Sequence, residues 1–315
     1  MASLPDRFRD ALEALTGAAP TPDMRLGLAV SGGPDSLALL LLAHEAWPGT
    51  IAAATVDHGL RPEAAEEAAH VARICEGLGV AHVILTPHEP IAGNIQSAAR
   101  ATRYALLDVW SEAEGLAWVA TAHHADDQIE TVLMRLMRGS GIDGLSAIRP
   151  VNGQYVRPLL TMRKQALVDH VRAKGIAAID DPSNADDGFD RVRLRKALSD
   201  LPDYDPALVE RAMAAAREAG DALQWACERE AETHVERDGD DAILTRTDYP
   251  RELLRRIVLH CLDSIDPGIT PRGPALDRVL AALRGGEKAR IGKILCTPDK
   301  RENWRFSRAP ARRTG

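Results

Sequence analysis

The sequence has 315 residues, enough for two domains at roughly 150 residues each. Its 45% hydrophobic and 27% charged residues exclude a disordered or fibrous chain. The formal net charge of -7 argues against a polyanionic partner, but ten basic residues face three acidic ones from Arg284 onward, a local +7 on a chain otherwise at -14.

The longest apolar run, Leu37 to Ala43, is far short of the ~20 residues a membrane span needs. Charges at Asp6, Arg7, Arg9, Asp10 and Glu13 break up any secretory signal core. Cys75, Cys227, Cys261 and Cys296 all lie more than 30 residues apart, which disfavours a CxxC site or a disulfide framework. A cytoplasmic protein is expected.

Arg25 to Val30 is an apolar run entering Ser-Gly-Gly, which predicts a buried parallel strand and a tight turn. Ser36 to Trp47 predicts the following helix. The alternation repeats with strand 51–56 and helix 62–78, strand 81–85 and helix 95–113, and strand 118–122 and helix 126–138. Four such alternations predict an α/β fold, a doubly wound parallel sheet, with ligands at the carboxyl ends of its strands. A Gly-rich turn, 139–144, follows, then a helix over 161–175 and a polar stretch from Asp180 to Asp190 that reads as a surface loop. Asp205-Pro206 reads as a helix start, with the helix reaching about His234. Beyond it a strand (242–245), helices (251–262 and 272–283) and two short strands predict a second, smaller α+β domain. The expected division is a catalytic domain over 1–198, a helical linker over 199–236 and a small domain over 237–315.

The strongest chemical signal is Ser31-Gly32-Gly33-Pro34-Asp35-Ser36, in the first strand-to-helix turn. Glycines let the backbone approach an anion, and a helix N-terminus supplies free N–H groups and the positive dipole end. Hydroxyls of Ser31 and Ser36 add phosphate donors. Gly292-Lys293 is followed by Ile294, so the Walker-type GK[ST] loop is absent. An ordinary glycine-rich turn is the plain alternative. The six residues resemble the PP-loop of the ATP pyrophosphatases, which implies cleavage between the α and β phosphates and adenylation of a substrate atom.

Other strand ends carry further motifs in order. They are Asp57-His58-Gly59-Leu60-Arg61, Asn94-Ile95-Gln96 with Arg100 to Tyr104, His123-His124-Ala125-Asp126-Asp127-Gln128-Ile129-Glu130, Arg138-Gly139-Ser140-Gly141, Arg157-Pro158-Leu159 and Asp181-Pro182-Ser183-Asn184. This set, over about residues 25–196, resembles the tRNA(Ile)-lysidine synthetases. The resemblance implies that ATP adenylates the C2 oxygen of the wobble cytidine in the CAU anticodon of tRNA(Ile), and that the ε-amine of free L-lysine displaces AMP from C2 to give lysidine. ATP and Mg²⁺ are the implied cofactors, and the resemblance allows a homodimer.

Asp127 and Glu130 stand i, i+3 on one helix face, so two carboxylates can hold an ammonium group; the resemblance assigns them to lysine. It assigns the loop residues 31–36 with Asp57 and His58 to ATP, Asp35 also to Mg²⁺, and Arg103 to the reacting phosphate. Asp35, Arg103, His123 and Asp127 form the implied catalytic set. His123, at a strand end, is placed to polarise ATP or accept a proton, while His124 has a structural reading. Arg191, Arg193 and Arg195 suit phosphate contact, although Val192 stands where the family has Asn. Arg305 and Arg308, within the basic end that includes Lys300, Arg301, Arg312 and Arg313, are the remaining tRNA candidates. A tRNA cytidine thiolase is the rival enzyme, disfavoured by the cysteine spacing. A nucleotide-binding module without turnover is the rival of another class.

Overall fold

A computed structural model describes residues 2–59, 63–87, 95–179, 194, 204–271, 273–299 and 303–309. The chain divides into two compact units, Met1–Gly139 with Gly144–Ala214, and Ser140–Asp143 with Ala215–Gly315.

The first unit opens with α1 (Leu4–Thr16), an element not expected from the sequence. Ser3 caps it by accepting the Asp6 N–H, Gly17 ends it in the left-handed conformation, and Phe8 and Leu12 bury one face at i, i+4 spacing. β1 (Leu26–Ala29) then leads into α2 (Pro34–Ala46), whose residues 36–43 are all buried. A helix apolar on every side is a core helix, and α2 packs against α1 and against α7 (Lys164–Ala173).

β2 (Ile51–Val56), α3 (Ala64–Leu78), β3 (Ala81–Leu85), α4 (Ile95–Ala113), β4 (Trp118–Ala120) and α5 (Ala125–Met137) continue the alternation. After α6 (Ile142–Leu145), a short hairpin of β5 (Val151–Asn152) and β6 (Tyr155–Val156) completes the sheet. The strand order is β3-β2-β1-β4-β6-β5, parallel except for β5. β2 shows how the strands serve two cores. Ile51 and Ala53 face the cluster containing Phe8, Leu37 and Leu40, while Ala52 and Ala54 face one containing Leu107, Trp110 and Val119. Gly27 of β1 is needed for the second core, because a Cβ there would meet Leu116 Cδ1 at 2.9 Å and the Trp110 ring at 3.1 Å.

The chain runs outward from β1 through β2 to β3, then crosses back to place β4 on β1's other side. β1 and β4 therefore flank the switch point where such sheets bind ligands.

The division between units falls inside α8 (Pro206–His234), whose start is held by Asp205 Oδ1 accepting the Ala207 N–H at 2.9 Å. In the second unit, β7 (Val235–Asp238), β8 (Asp241–Leu244), β9 (Ala289–Ile291), β10 (Ile294–Pro298) and β11 (Trp304–Arg308) form an antiparallel sheet of order β7-β8-β11-β10-β9. α9 (Arg251–Ile265) and α10 (Gly273–Arg284) cover it, enclosing Leu244, Ile257, Leu262, Leu280 and Phe306. β7 escapes a sequence reading because Val-Glu-Arg-Asp continues from α8 with a single apolar residue and no alternation. Among the described residues, no helix is long and apolar enough to cross a membrane.

Candidate active site

The loop between β1 and α2 is held in shape by its own serine. Ser36 Oγ accepts the N–H groups of Ser31 and Gly32, each at 3.1 Å, receives the Ser31 hydroxyl at 3.3 Å, and donates to Gly33 O at 3.0 Å. Ser36, expected among the phosphate donors, thus spends its hydroxyl within the loop. Gly32 has φ +88°, and a Cβ there would run into Ile179 and Val71. Ile179 N–H in turn donates to Gly32 O at 2.9 Å, so the segment after α7 closes over the loop.

Asp35 occupies the first turn of α2. Its Oδ2 lies 3.5 Å from both His124 Nε2 and Lys164 Nζ, and its Oδ1 is buried with no hydrogen-bond partner among the described residues. Burial raises the Asp35 pKa, but the His124 and Lys164 contacts outweigh it and hold the carboxyl below its ordinary range. The orphaned oxygen suits a cation that keeps waters and substrate phosphates as its other ligands, which is how Mg²⁺ is held. Among the described residues, no group of three or more His, Cys, Asp or Glu forms a ready-made metal site. Mg²⁺ therefore fits only in company with phosphate.

His124 is 1% exposed and caps α5. Its Nδ1 accepts the Asp127 N–H at 3.3 Å while Asp127 Oδ2 accepts the His124 N–H at 3.0 Å. An accepting Nδ1 leaves the proton on Nε2, which faces Asp35 and Asp127. Burial lowers the His124 pKa, yet Asp35, Asp127 and Asp126 together raise it. Lys164 was not singled out in the sequence. It and Arg163 begin α7, where cations oppose the helix dipole; Asp126 caps this start by accepting the Lys164 backbone N–H at 2.7 Å and pairs with Arg163 Nε at 3.3 Å, while the Lys164 ammonium is left to Asp35. That misplaced basic pair was the legible signal.

A second group gathers around His123, which follows β4. Thr121 Oγ1 lies 3.0 Å from its Nδ1. Burial, reinforced by Arg157, Arg103 and Arg100 against the pull of Asp127, pushes its pKa down to about 4. The imidazole is therefore neutral near pH 7. Burial and the neighbouring Arg100 lower the pKa of Arg103, and burial followed by Arg103 lowers that of His58, so His58 and Arg103 share this surround. Asp57 Oδ1 accepts the Gly59 N–H at 2.8 Å in the turn after β2. Glu130 is 2% exposed, one helical turn beyond Asp127.

The fold thus brings Asp35, His123, His124 and Asp127 to adjoining strand and helix ends at the switch point, with Arg103 close to His123. Arg191, Arg193 and Arg195 lie outside the described residues, as do Leu60, Arg61, Asn94, Asp181, Asn184, Lys300, Arg301, Arg312 and Arg313. In the second unit, Arg305 Nη1 is 2.8 Å from Asp238 Oδ2 and 2.9 Å from Asp241 Oδ2, and Arg308 Nη2 donates to Ile265 O at 3.3 Å. Arg305 thus pairs with two aspartates, while Arg308 is held by a carbonyl and has no ion pair among the described residues.

The PP-loop domain family matches residues 6–201. The tRNA(Ile)-lysidine synthase of Zymomonas mobilis subsp. mobilis is 41% identical over 312 residues, spanning 96% of this chain and 94% of that protein. That of Novosphingobium aromaticivorans is 41% identical over 321 residues, spanning 98% and 94%. The chain belongs to the tRNA(Ile)-lysidine synthase family. A solved U34-tRNA thiolase of Methanococcus maripaludis, 16% identical, superposes with a TM-score of 0.53 over 67% of this chain and 77% of that one, and shares the fold. Membership makes the chain an ATP-using ligase of the PP-loop class.

Proposed function

We propose that this enzyme joins free L-lysine to C2 of the wobble cytidine in the CAU anticodon of tRNA(Ile), through an adenylated cytidine, releasing pyrophosphate and then AMP. The observation that carries the reading is the meeting of the PP-loop's Asp35 with the Asp127 end of α5 through His124, which supports a phosphate-binding role for the loop beside an ammonium-binding role for Asp127. The loop 31–36, with Asp57 and His58, holds ATP against the α2 N-terminus. Mg²⁺, held by Asp35 and the phosphates, would offset the charge of the departing pyrophosphate. Arg103 steadies charge developing on the reacting phosphate. Asp127 and Glu130 bind the lysine ammonium, and neutral His123 accepts a proton as the amine attacks. Arg191, Arg193, Arg195, Arg305 and Arg308 contact tRNA phosphates, and the protein works in the cytoplasm, alone or as a homodimer.

Cytidine thiolation finds no support in the cysteines. All four are buried and unpaired, with burial pushing Cys75 and Cys227 up to about 11 and Cys261 and Cys296 up to about 12, away from thiolate chemistry. Incubation with ATP, lysine and a CAU-anticodon tRNA, followed by nucleoside mass spectrometry, tests the reading. Lysidine is expected, and an unmodified cytidine with folded protein and intact tRNA overturns it.

A further inference from the structure

Arg157 has no role in that account, yet its surroundings are those of a binding group. It directly follows β6, whose Val156 O accepts the Thr121 N–H at 3.0 Å, so Arg157 emerges at the carboxyl edge beside the strand end that bears His123. Only 5% of the residue is exposed. Nη1 donates to Arg149 O at 2.6 Å, Nε is buried with no acceptor, and among the described residues no carboxylate pairs with the guanidinium. An uncompensated buried cation is costly, and it is retained where an anion completes it.

The turn that receives Arg157 is itself fixed. Ala147 stands at φ 55°, an unusual backbone for a residue with a Cβ. Arg135 Nη1 donates to Ala147 O at 3.2 Å, and Gln128 bonds both backbone groups of Ile148, at 2.8 and 3.0 Å. Such reinforcement keeps a guanidinium fork in one orientation. The nearby Arg103 and Arg100, which act with Arg157 on His123, extend the positive surround.

We propose that Arg157 is an oxyanion-binding residue of the active site, receiving a substrate carboxylate or phosphate at the carboxyl end of β6 beside His123. The choice between those two sources rests on the function proposed above, in which they are the carboxylate of lysine and the phosphates of ATP.

The wild type, Arg157→Gln and Arg157→Lys can be titrated with ATP, and assayed for lysidine formation with lysine or for the aminopentyl-cytidine adduct with cadaverine, which keeps both amines and lacks the carboxylate. Loss of one charged hydrogen-bond pair weakens its ligand roughly ten- to a hundredfold, and Arg157→Lys should recover part of that loss. If the oxyanion is the carboxylate, Arg157→Gln raises the lysine KM, erases the preference for lysine over cadaverine and leaves ATP affinity alone. If it is a phosphate, ATP affinity falls and the lysine KM holds. The proposal is overturned if folded Arg157→Gln keeps ATP affinity and lysine KM within about twofold of wild type. It is also overturned if both worsen together with a lowered melting temperature that Arg157→Lys does not restore, the mark of a collapsed turn. Absence of lysidine from the wild type would instead strike the proposed function, and the ATP titration would still read Arg157.

Discussion

The two units handle charge in opposite ways. In the second, Arg246, Arg251, Arg256 and Arg305 each lie within 2.9 Å of an aspartate that balances them where they stand. In the PP-loop unit the polar groups at the carboxyl edge are left incomplete. Among the described residues, Asp35 Oδ1, His58 Nδ1 and Arg157 Nε are buried without a hydrogen-bond partner, as are His44 Nδ1 and Tyr204 Oη elsewhere in that unit and Arg256 Nε in the second. Buried polar groups are normally satisfied, so exceptions that gather at the ligand-binding edge of the sheet support the proposal that a ligand completes them there.

The sharpest way to break this contrast is at Asp35. Asp35→Ala removes the orphaned oxygen and leaves His124 and Lys164 without their shared carboxylate. Loss of a preorganised electrostatic group costs about 10² to 10³ in rate. Pyrophosphate release from ATP and tRNA without lysine should fall by that order, and undiminished release would remove Asp35 from the metal and phosphate site.

Asp127→Asn should act next, and on lysine alone. Asn can still accept the His124 N–H, so the α5 cap survives while the charge is lost. The lysine KM should rise roughly tenfold or more, while adenylation stays measurable. An unchanged KM takes Asp127 out of the lysine site and makes it a cap only.

These groups were legible to different degrees. The PP-loop, His123, Asp127 and Glu130 could be found because each follows a strand predicted from its apolar run. His124 could be found only as a helix cap, since Asp35, which raises its pKa, is distant in sequence and meets it through the fold. β5 and β6 have two residues each, too short to show a period, and without them Arg157 had no sheet edge to stand on. α1 carried readable caps in Ser3 and Gly17, but its burial depends on contact with α2, which no local pattern states.

His123 sharpens the contrast through pH. Its folded pKa of about 4 lies below the ordinary 6.5, so the unfolded chain binds a proton that the native one refuses. Stability should therefore fall as pH drops from 6.5 toward 4, by about 2 kcal/mol between pH 6.5 and 5 from this group. His124, with a raised pKa, acts in the opposite sense, adding stability below 6.5 that is lost as pH rises through its folded pKa. Urea melts of wild type and His123→Asn at pH 7 and 5 isolate the first contribution. The variant should lose less stability on acidification, and equal losses would mean that His123 is not held neutral by its surroundings.

The smallest effect is expected in the second unit, and it asks whether a balanced arginine can still serve tRNA. Each phosphate contact with double-stranded or single-stranded nucleic acid contributes about 0.7 to 0.9 to the slope of log affinity against log salt. Arg308 donates to a carbonyl and has no ion pair among the described residues, so Arg308→Ala should flatten the slope by that full amount. Arg305 must first leave Asp238 and Asp241, and although exposed ion pairs are weak enough to exchange, the released carboxylates then repel the same phosphate. Arg305→Ala should thus flatten the slope by less than Arg308→Ala. Asp238→Asn with Asp241→Asn should free Arg305 and steepen it. Equal, unchanged slopes in all three variants, with normal activity on tRNA, would mean that β11 touches no phosphate and that the basic balance of this unit serves its own aspartates.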